Sequence, residues 1–269
     1  MPEASAEVVS APIMHGNAGK SWAGLSKAGL RAVAIILLSI LAGKAALAGD
    51  IFKTDEERDR FYRSLNIQNG PLRVSIPEAS AEVDLPKGMF MVTGKDAQRA
   101  YHAMQGVEDT RIVAVLVTED FIINFTYLPD GYFRMDDWST FDPDVMMRKL
   151  RRDAKYFNEE RKRTGMSDLT PAQWEVAPRL NRELALVYWA TSFKDEGTEI
   201  INIDAYRLSR YGLLGMQFIA TKEIFEENPG IIAIFENNLH FKAGARYEDY
   251  RAGDKVAEKS IAALLMSSE

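Results

Sequence analysis

Two pairs of neighbouring carboxylates are the residues of this chain whose types and spacing most directly suggest chemistry. Asp136-Asp137 stand beside Trp138, and Glu248-Asp249 stand between Tyr247 and Tyr250. Two acids sharing one cleft can be driven apart in pKa, so that one donates a proton while the other accepts it or attacks. Flanked by aromatic rings, such a pair suits a glycan-cleaving cleft. Acids adjacent in sequence more often point different ways on a surface loop, and then they do no chemistry together.

A second constellation is basic. Arg148, Lys149, Arg151, Arg152 and Lys155, continued by Arg161-Lys162-Arg163, stand out in a chain whose net charge is -6. On one helix face they could meet anionic lipid headgroups or wall polymers. Asp153, Glu159 and Glu160 dilute the run, as in an ordinary solvated helix face. The remaining motifs carry less. Gly16-Asn17-Ala18-Gly19-Lys20-Ser21 has part of a phosphate loop, but Met14 stands where the first glycine belongs and no strand precedes it. The three histidines, His15, His102 and His240, lie far apart, and the chain has no cysteine. A zinc site would therefore have to be completed by carboxylates. No Gly-x-Ser-x-Gly elbow is present. No metal and no cofactor are expected.

The elements that must position these residues follow from periodicity and caps. Residues 50–64 are charged and weakly helical, a lead-in to the core. Residues 72–76 and 81–85 alternate around Pro77-Glu78 and predict a hairpin. Thr93 can cap a helix over 95–105, with Asp96 in its first turn. Residues 111–117 and 121–127 are β-branched and aromatic, hence strands, before the turn at Pro129-Asp130-Gly131. Asp142-Pro143 starts the longest helix, which should run to Arg163 with Met147, Leu150, Ala154 and Phe157 as its apolar stripe.

Three strand-like runs, 184–193, 198–208 and 212–221, are joined by connectors short enough for an antiparallel meander. Their aromatics, Tyr188, Trp189, Phe193, Tyr206 and Phe218, read as sheet core. A helix over 222–239, reset at Asn228-Pro229, and a last helix from Asp254 complete the chain. Strands and helices mix without regular alternation. The expected class is α+β, mostly antiparallel, with the C-terminal three-strand meander packed against helices in a single domain.

Ahead of this domain, residues 32–43 (AVAIILLSILAG) form an uncharged block behind Lys27 and Arg31, followed by Ala46-Leu47-Ala48. These are the parts of a secretory signal. A hydrocarbon core needs roughly 20 apolar helical residues, so the block is short for a membrane span. Cleavage after Ala48 is expected, dividing a leader at 1–48 from an exported domain at 49–269; an uncleaved anchor is the alternative. Met14 competes with Met1 as the start, because it gives the leader an ordinary length. Losing 1–48 removes four basic residues (Lys20, Lys27, Arg31, Lys44) and two acidic ones (Glu3, Glu7), leaving the domain more acidic. An acidic surface excludes nucleic acid as the main partner. Export without cysteine fits a bacterial envelope better than a eukaryotic secretory route.

Several short motifs occur in a fixed order. They are Asp130-Gly131-Tyr132, Asn158-Glu159-Glu160-Arg161 with Gly165, Trp174 with Pro178, Tyr188-Trp189-Ala190, RLSRYG at 207–212 and GARYEDYRAGDKVA at 244–257. In order and spacing the chain resembles the bacterial, membrane-anchored proteins that share domain of unknown function 2167. The resemblance implies an exported α+β domain tied to the cell envelope and no particular activity. Such proteins continue into a C-terminal hydrophobic span, whereas here Ile261 to Met266 is followed by Ser267-Ser268-Glu269. If the leader is left uncleaved, residues 32–48 are therefore the expected membrane attachment; cleaved, the domain is expected to be soluble outside the cytoplasm. The expected function is an envelope-located, non-catalytic binding module whose partner is a membrane surface or an envelope protein; the rival is a carboxylate-dependent hydrolase of envelope glycan.

Overall fold

The computed structural model describes residues 52, 54–105, 108–118, 121–163, 168–170, 172–195, 197–228 and 235–267. The leader and its cleavage site lie outside the described residues. The strands are β1 (Gln68–Asn69), β2 (Leu72–Ile76), β3 (Ala81–Leu85), β4 (Phe90–Thr93), β5 (Ile112–Val117), β6 (Ile122–Leu128), β7 (Gln173–Asn181), β8 (Leu186–Asp195), β9 (Thr198–Leu208), β10 (Leu213–Thr221) and β11 (Leu239–Phe241). The α-helices described are α1 (Asp55–Arg63), α2 (Gly94–Gln105), α3 (Pro143–Arg163), α4 (Lys222–Glu227) and α5 (Ile261–Met266).

Eight strands form one antiparallel sheet in the order β1-β4-β5-β6-β10-β9-β8-β7, and β11-β3-β2 form a second. The expected α+β class and the β8-β9-β10 meander are both present. The layers follow from which residues each strand buries. All of β5 is buried, because both of its faces are covered. On one face Leu116, Ile123, Leu214, Met216, Phe218, Ile201 and Ile203 pack against Val74, Val83 and Leu239 of the small sheet. On the other face α1 and α2 cover the β4-β5 end through Tyr62, Ala97, Ala100 and Met104. There α3, α5 and the loop before them cover the β8-β9 end through Phe133, Met146, Ile261 and Leu265.

The helix at α3 starts as its cap predicts: Asp142 accepts from the amides of Asp144 (2.8 Å) and Val145 (3.2 Å). Gly131 lets the chain enter this region, since its φ is +106° and a Cβ there would stand 2.5 Å from the Lys255 carbonyl oxygen. Tyr132 N–H donates to that same oxygen at 2.9 Å, tying the loop to the C-terminal segment.

Four expectations change. A strand, β7, occupies 173–181 where none was expected. Pro178 cannot donate to a ladder, so β7 is confined to the sheet edge, and its register slips on either side of Val176. The short β1 and β4 were also not anticipated. Of the helix expected over 222–239, the first part is α4, which ends at Glu227, and residues 235–237 are helical again; Leu239–Phe241 is a strand, because Leu239 and Phe241 are buried on the small sheet while His240 faces out. The reset at Asn228-Pro229 falls partly outside the described residues. The last helix begins at Ile261, capped by Ser260, and not at Asp254. Asp254 is held in an irregular loop by the Arg210 guanidinium at 2.7 and 2.8 Å and by the Arg251 amide at 2.7 Å.

Candidate functional site

Strand alternation puts every second residue of β6, β9 and β10 on the helix-covered face. There β9 presents Asn202, Asp204 and Tyr206, β10 presents Gly215 and Gln217, and β6 presents Asn124 and Thr126. Register aligns Asn124 with Gln217, Gln217 with Asp204, and Asp204 with Trp189 of β8. A polar row therefore crosses four strands of the sheet. The two groups of helices stand over opposite ends of the sheet, and between them a cleft of about 340 Å³ opens.

Its floor is Asp204, Tyr206, Thr126 and Trp189, and its walls are Met146 and Leu150 of α3 with Leu264 and Leu265 of α5. Trp189 meets Tyr206 edge-on, with ring centroids 5.3 Å apart. Gly215 makes this floor possible. A Cβ there would stand 2.6 Å from Thr126 Oγ1 and 3.2 Å from the Tyr206 ring, so only glycine lets that ring lie across the strands. Lys149 and Arg111 also line the cleft. Each already has a carboxylate, Lys149 with Asp153 at 3.1 Å and Arg111 with Asp109 at 2.8 Å.

The floor is polar and incompletely bonded. Asn202 Nδ2 donates to Asp204 Oδ2 at 2.6 Å, which fixes the Asn202 amide with its oxygen elsewhere. That oxygen, Asn124 Oδ1 and Trp189 Nε1 are buried without a hydrogen-bond partner. An orphaned buried polar group costs about 1–3 kcal/mol, and of these three the Trp189 indole belongs to the cleft lining. Burial pushes the Asp204 carboxyl up to about 6, against the opposing pull of the Asn202 and Gln217 amides and of the nearby Trp189 indole N–H. The indole lies close enough to weaken that rise without closing a hydrogen bond of its own. Among the described residues no Lys, Arg or His pairs with Asp204, although such a partner is how a buried carboxylate is ordinarily stabilised.

The residues singled out from sequence are placed differently. Asp137 accepts from the Ser260 hydroxyl, and Ser260 caps α5 by accepting from the Ala263 amide at 3.2 Å. Asp249 accepts from the amides of Gly244 at 2.7 Å and Arg246 at 3.1 Å, closing a loop. Asp136 and Glu248 are exposed. None of the four lines the cleft. Their aromatic neighbours stack locally, Trp138 on Phe141 at 4.6 Å and Tyr247 on Tyr132 at 4.3 Å.

Of the basic run, Arg148, Arg151, Arg152 and Lys155 are exposed, while half-buried Lys149 turns to the cleft. Arg151 Nε donates to the Ala172 carbonyl at 3.0 Å, and Arg152 lies 3.5 Å from Asp153. The aromatic set divides by strand parity: Tyr188 and Phe218 are core, whereas Trp189 and Tyr206 floor the cleft. His240 lies 2.9 Å from Asp84 on the outer face of the small sheet, and His102 is on α2. Among the described residues there is no group of three or more His, Cys, Asp or Glu that could hold a metal ion. No described helix is long and apolar enough to cross a membrane.

Comparison with known proteins gives three findings. No curated protein matches the chain. The solution structure of cyanobacterial PsbP (CyanoP) from Synechocystis sp. PCC 6803 is similar at 13% identity with a TM-score of 0.39, covering 65% of this chain and 92% of that one. A family model described as a protein of unknown function (DUF2167) matches residues 68–269.

Proposed function

The chain belongs to the DUF2167 family, and we propose that this member is a non-catalytic binding module of the cell envelope that holds a small, largely apolar ligand in the cleft over β6, β9 and β10. One observation carries the reading: a cavity of about 340 Å³ is walled by Met146, Leu150, Leu264 and Leu265 and floored by Asp204, Tyr206 and Trp189, whose buried Nε1 lacks a partner. Ligand sites combine an apolar lining with placed polar groups, and this cleft carries both. Paired-carboxylate hydrolysis needs two acids flanking the scissile bond. Asp204 is the lone carboxylate among the described residues lining the cleft, which favours holding over cutting.

An uncharged fluorophore, N-phenyl-1-naphthylamine, tests the cleft without presupposing the natural ligand. It should bind the folded chain one-to-one, with enhanced emission. Leu150→Trp, which enlarges a half-buried wall residue into the cavity, should lower that affinity at least tenfold while leaving the circular dichroism spectrum intact. Undiminished binding in the variant would remove the cleft as the site.

The envelope location rests on the leader. We place the exposed Arg148, Arg152 and Lys155 of α3 towards anionic headgroups, each worth about 1 kcal/mol near such a surface. N-terminal sequencing of protein from fractionated cells should begin at Gly49, outside the cytoplasm. A chain starting at residue 1 or 14 in the soluble cytoplasm would contradict export.

A further inference from the structure

Resting on the reading that the cleft is the binding site, we propose that its ligand is an amphiphilic amine, whose ammonium sits on Asp204 and whose hydrocarbon body lies along Met146, Leu150 and Leu264. The argument begins with what the floor lacks. Asp204 is a half-buried carboxylate in the polar row that crosses the sheet, and no cation among the described residues pairs with it. Taking an ionised carboxylate out of water is costly unless an opposite charge or several donors compensate it. Its donors here are the two amides of Asn202 and Gln217, both uncharged. The missing compensation is a positive charge, and the cavity leaves space for one to arrive with the ligand.

The surroundings agree with that assignment. Asp204 lines the cleft, and its carboxylate has two acceptor oxygens. An ammonium has three donors and no acceptor, so it can serve that carboxylate. The rings of Trp189 and Tyr206 form the adjoining floor and offer π-faces that favour a cation. The walls beyond are Leu and Met side chains, which favour a hydrocarbon body at roughly 25 cal/mol for each Å² removed from water. Lys149 and Arg111 do not occupy the acid, because each is held by its own carboxylate, Asp153 and Asp109.

This site should respond to pH. The ligand requires ionised Asp204, and the charged or titratable groups facing the cleft are Lys149 of α3, Arg111 before β5, Tyr127 of β6 and Tyr206 of β9. Asp204, at about 6, is the one whose charge changes between roughly pH 5 and pH 7.5. About a tenth of it is ionised at the lower pH and nearly all at the higher, so amine affinity should rise about tenfold across that interval.

Calorimetric titration of the whole chain with n-hexylamine, hexan-1-ol and hexanoate separates the possibilities, since all three carry the same hydrocarbon. Hexylamine should bind tightest near pH 7.5 and about tenfold weaker near pH 5. Asp204→Asn should bind hexylamine no better than hexanol and lose the pH dependence, while still binding N-phenyl-1-naphthylamine as a check on the fold. Hexanol or hexanoate binding the wild type as tightly as hexylamine would overturn the amine assignment. So would an Asp204→Asn variant that binds hexylamine undiminished. If none of the three binds while the fluorophore does, the amine falls and the cleft stands; if the fluorophore fails too, both fall.

Discussion

At neutral pH, Asp204→Asn is expected to make the folded chain more stable by up to about 3 kcal/mol, and to flatten part of its pH dependence. Burial holds the folded-state carboxyl at about 6, while in the unfolded chain it titrates near 4. Between those values the unfolded chain has released a proton that the folded chain keeps. Stability therefore falls as pH rises through this window and levels off above about 6. Below the window both states are protonated and the penalty is absent. Asparagine is uncharged throughout, so the variant should lose this contribution and gain most above pH 6. Urea unfolding followed by circular dichroism at intervals from pH 4 to pH 8 measures it. Parallel wild-type and variant curves would mean that Asp204 is not strained by its surroundings. A side chain that destabilises its own fold is expected where binding needs it.

The largest loss of stability is expected at Phe218. Its ring is fully buried at the centre of the large sheet, edge-on to Phe121 with centroids 5.0 Å apart. Phe218→Ala removes the ring's transfer free energy and leaves a cavity between the two sheets, which together cost about 3–5 kcal/mol. Domains of ordinary stability have about 5–15 kcal/mol in all, so the variant should unfold at much lower denaturant. Tyr211 makes the control, since it is 46% exposed and touches mainly the Arg210 guanidinium, 5.1 Å from its ring centre. Tyr211→Ala should cost about 1 kcal/mol or less. Equal denaturation midpoints for the two variants would contradict the layer assignment.

The layered sheet was legible in the sequence wherever local signals agreed with tertiary demand. The 198–208 run kept its bounds as β9, and the helix from Asp142-Pro143 kept its start and its cap. Failures came where the sheet overrode local preference. At Leu239–Phe241 a helical continuation lost to burial of two apolar residues on the edge of the small sheet. At 173–181 proline and charge masked a strand that exists because β8 offers it an edge. No short-range pattern contains that offer.

The cleft was less legible than the fold, though its signal was present. Asn202, Asp204 and Tyr206 recur at every second position of β9, between the buried Ile201, Ile203 and Ala205. Polar side chains in the middle of a central strand must either be satisfied or serve a ligand. Asp136-Asp137 and Glu248-Asp249 are the more conspicuous acids in the sequence, because they are adjacent. The structure uses Asp137 and Asp249 for capping and loop closure. What no single segment could disclose is convergence: the floor is assembled from β6, β8, β9 and β10, whose cross-strand neighbours are known only once register is fixed.

The pairing of β6 with β10 has a consequence in time. It joins Ile122 to Ile219 and Leu128 to Leu213, so the middle of the sheet is a seam between distant parts of the chain. The first half, emerging from the ribosome, owns β6 as an unprotected border until the meander has been made. Contacts of such long range slow the search for the native state. The domain should then stay open well into synthesis, vulnerable to proteases and to sticking but still able to be threaded. A hairpin-only order of the same strands would have closed early in synthesis.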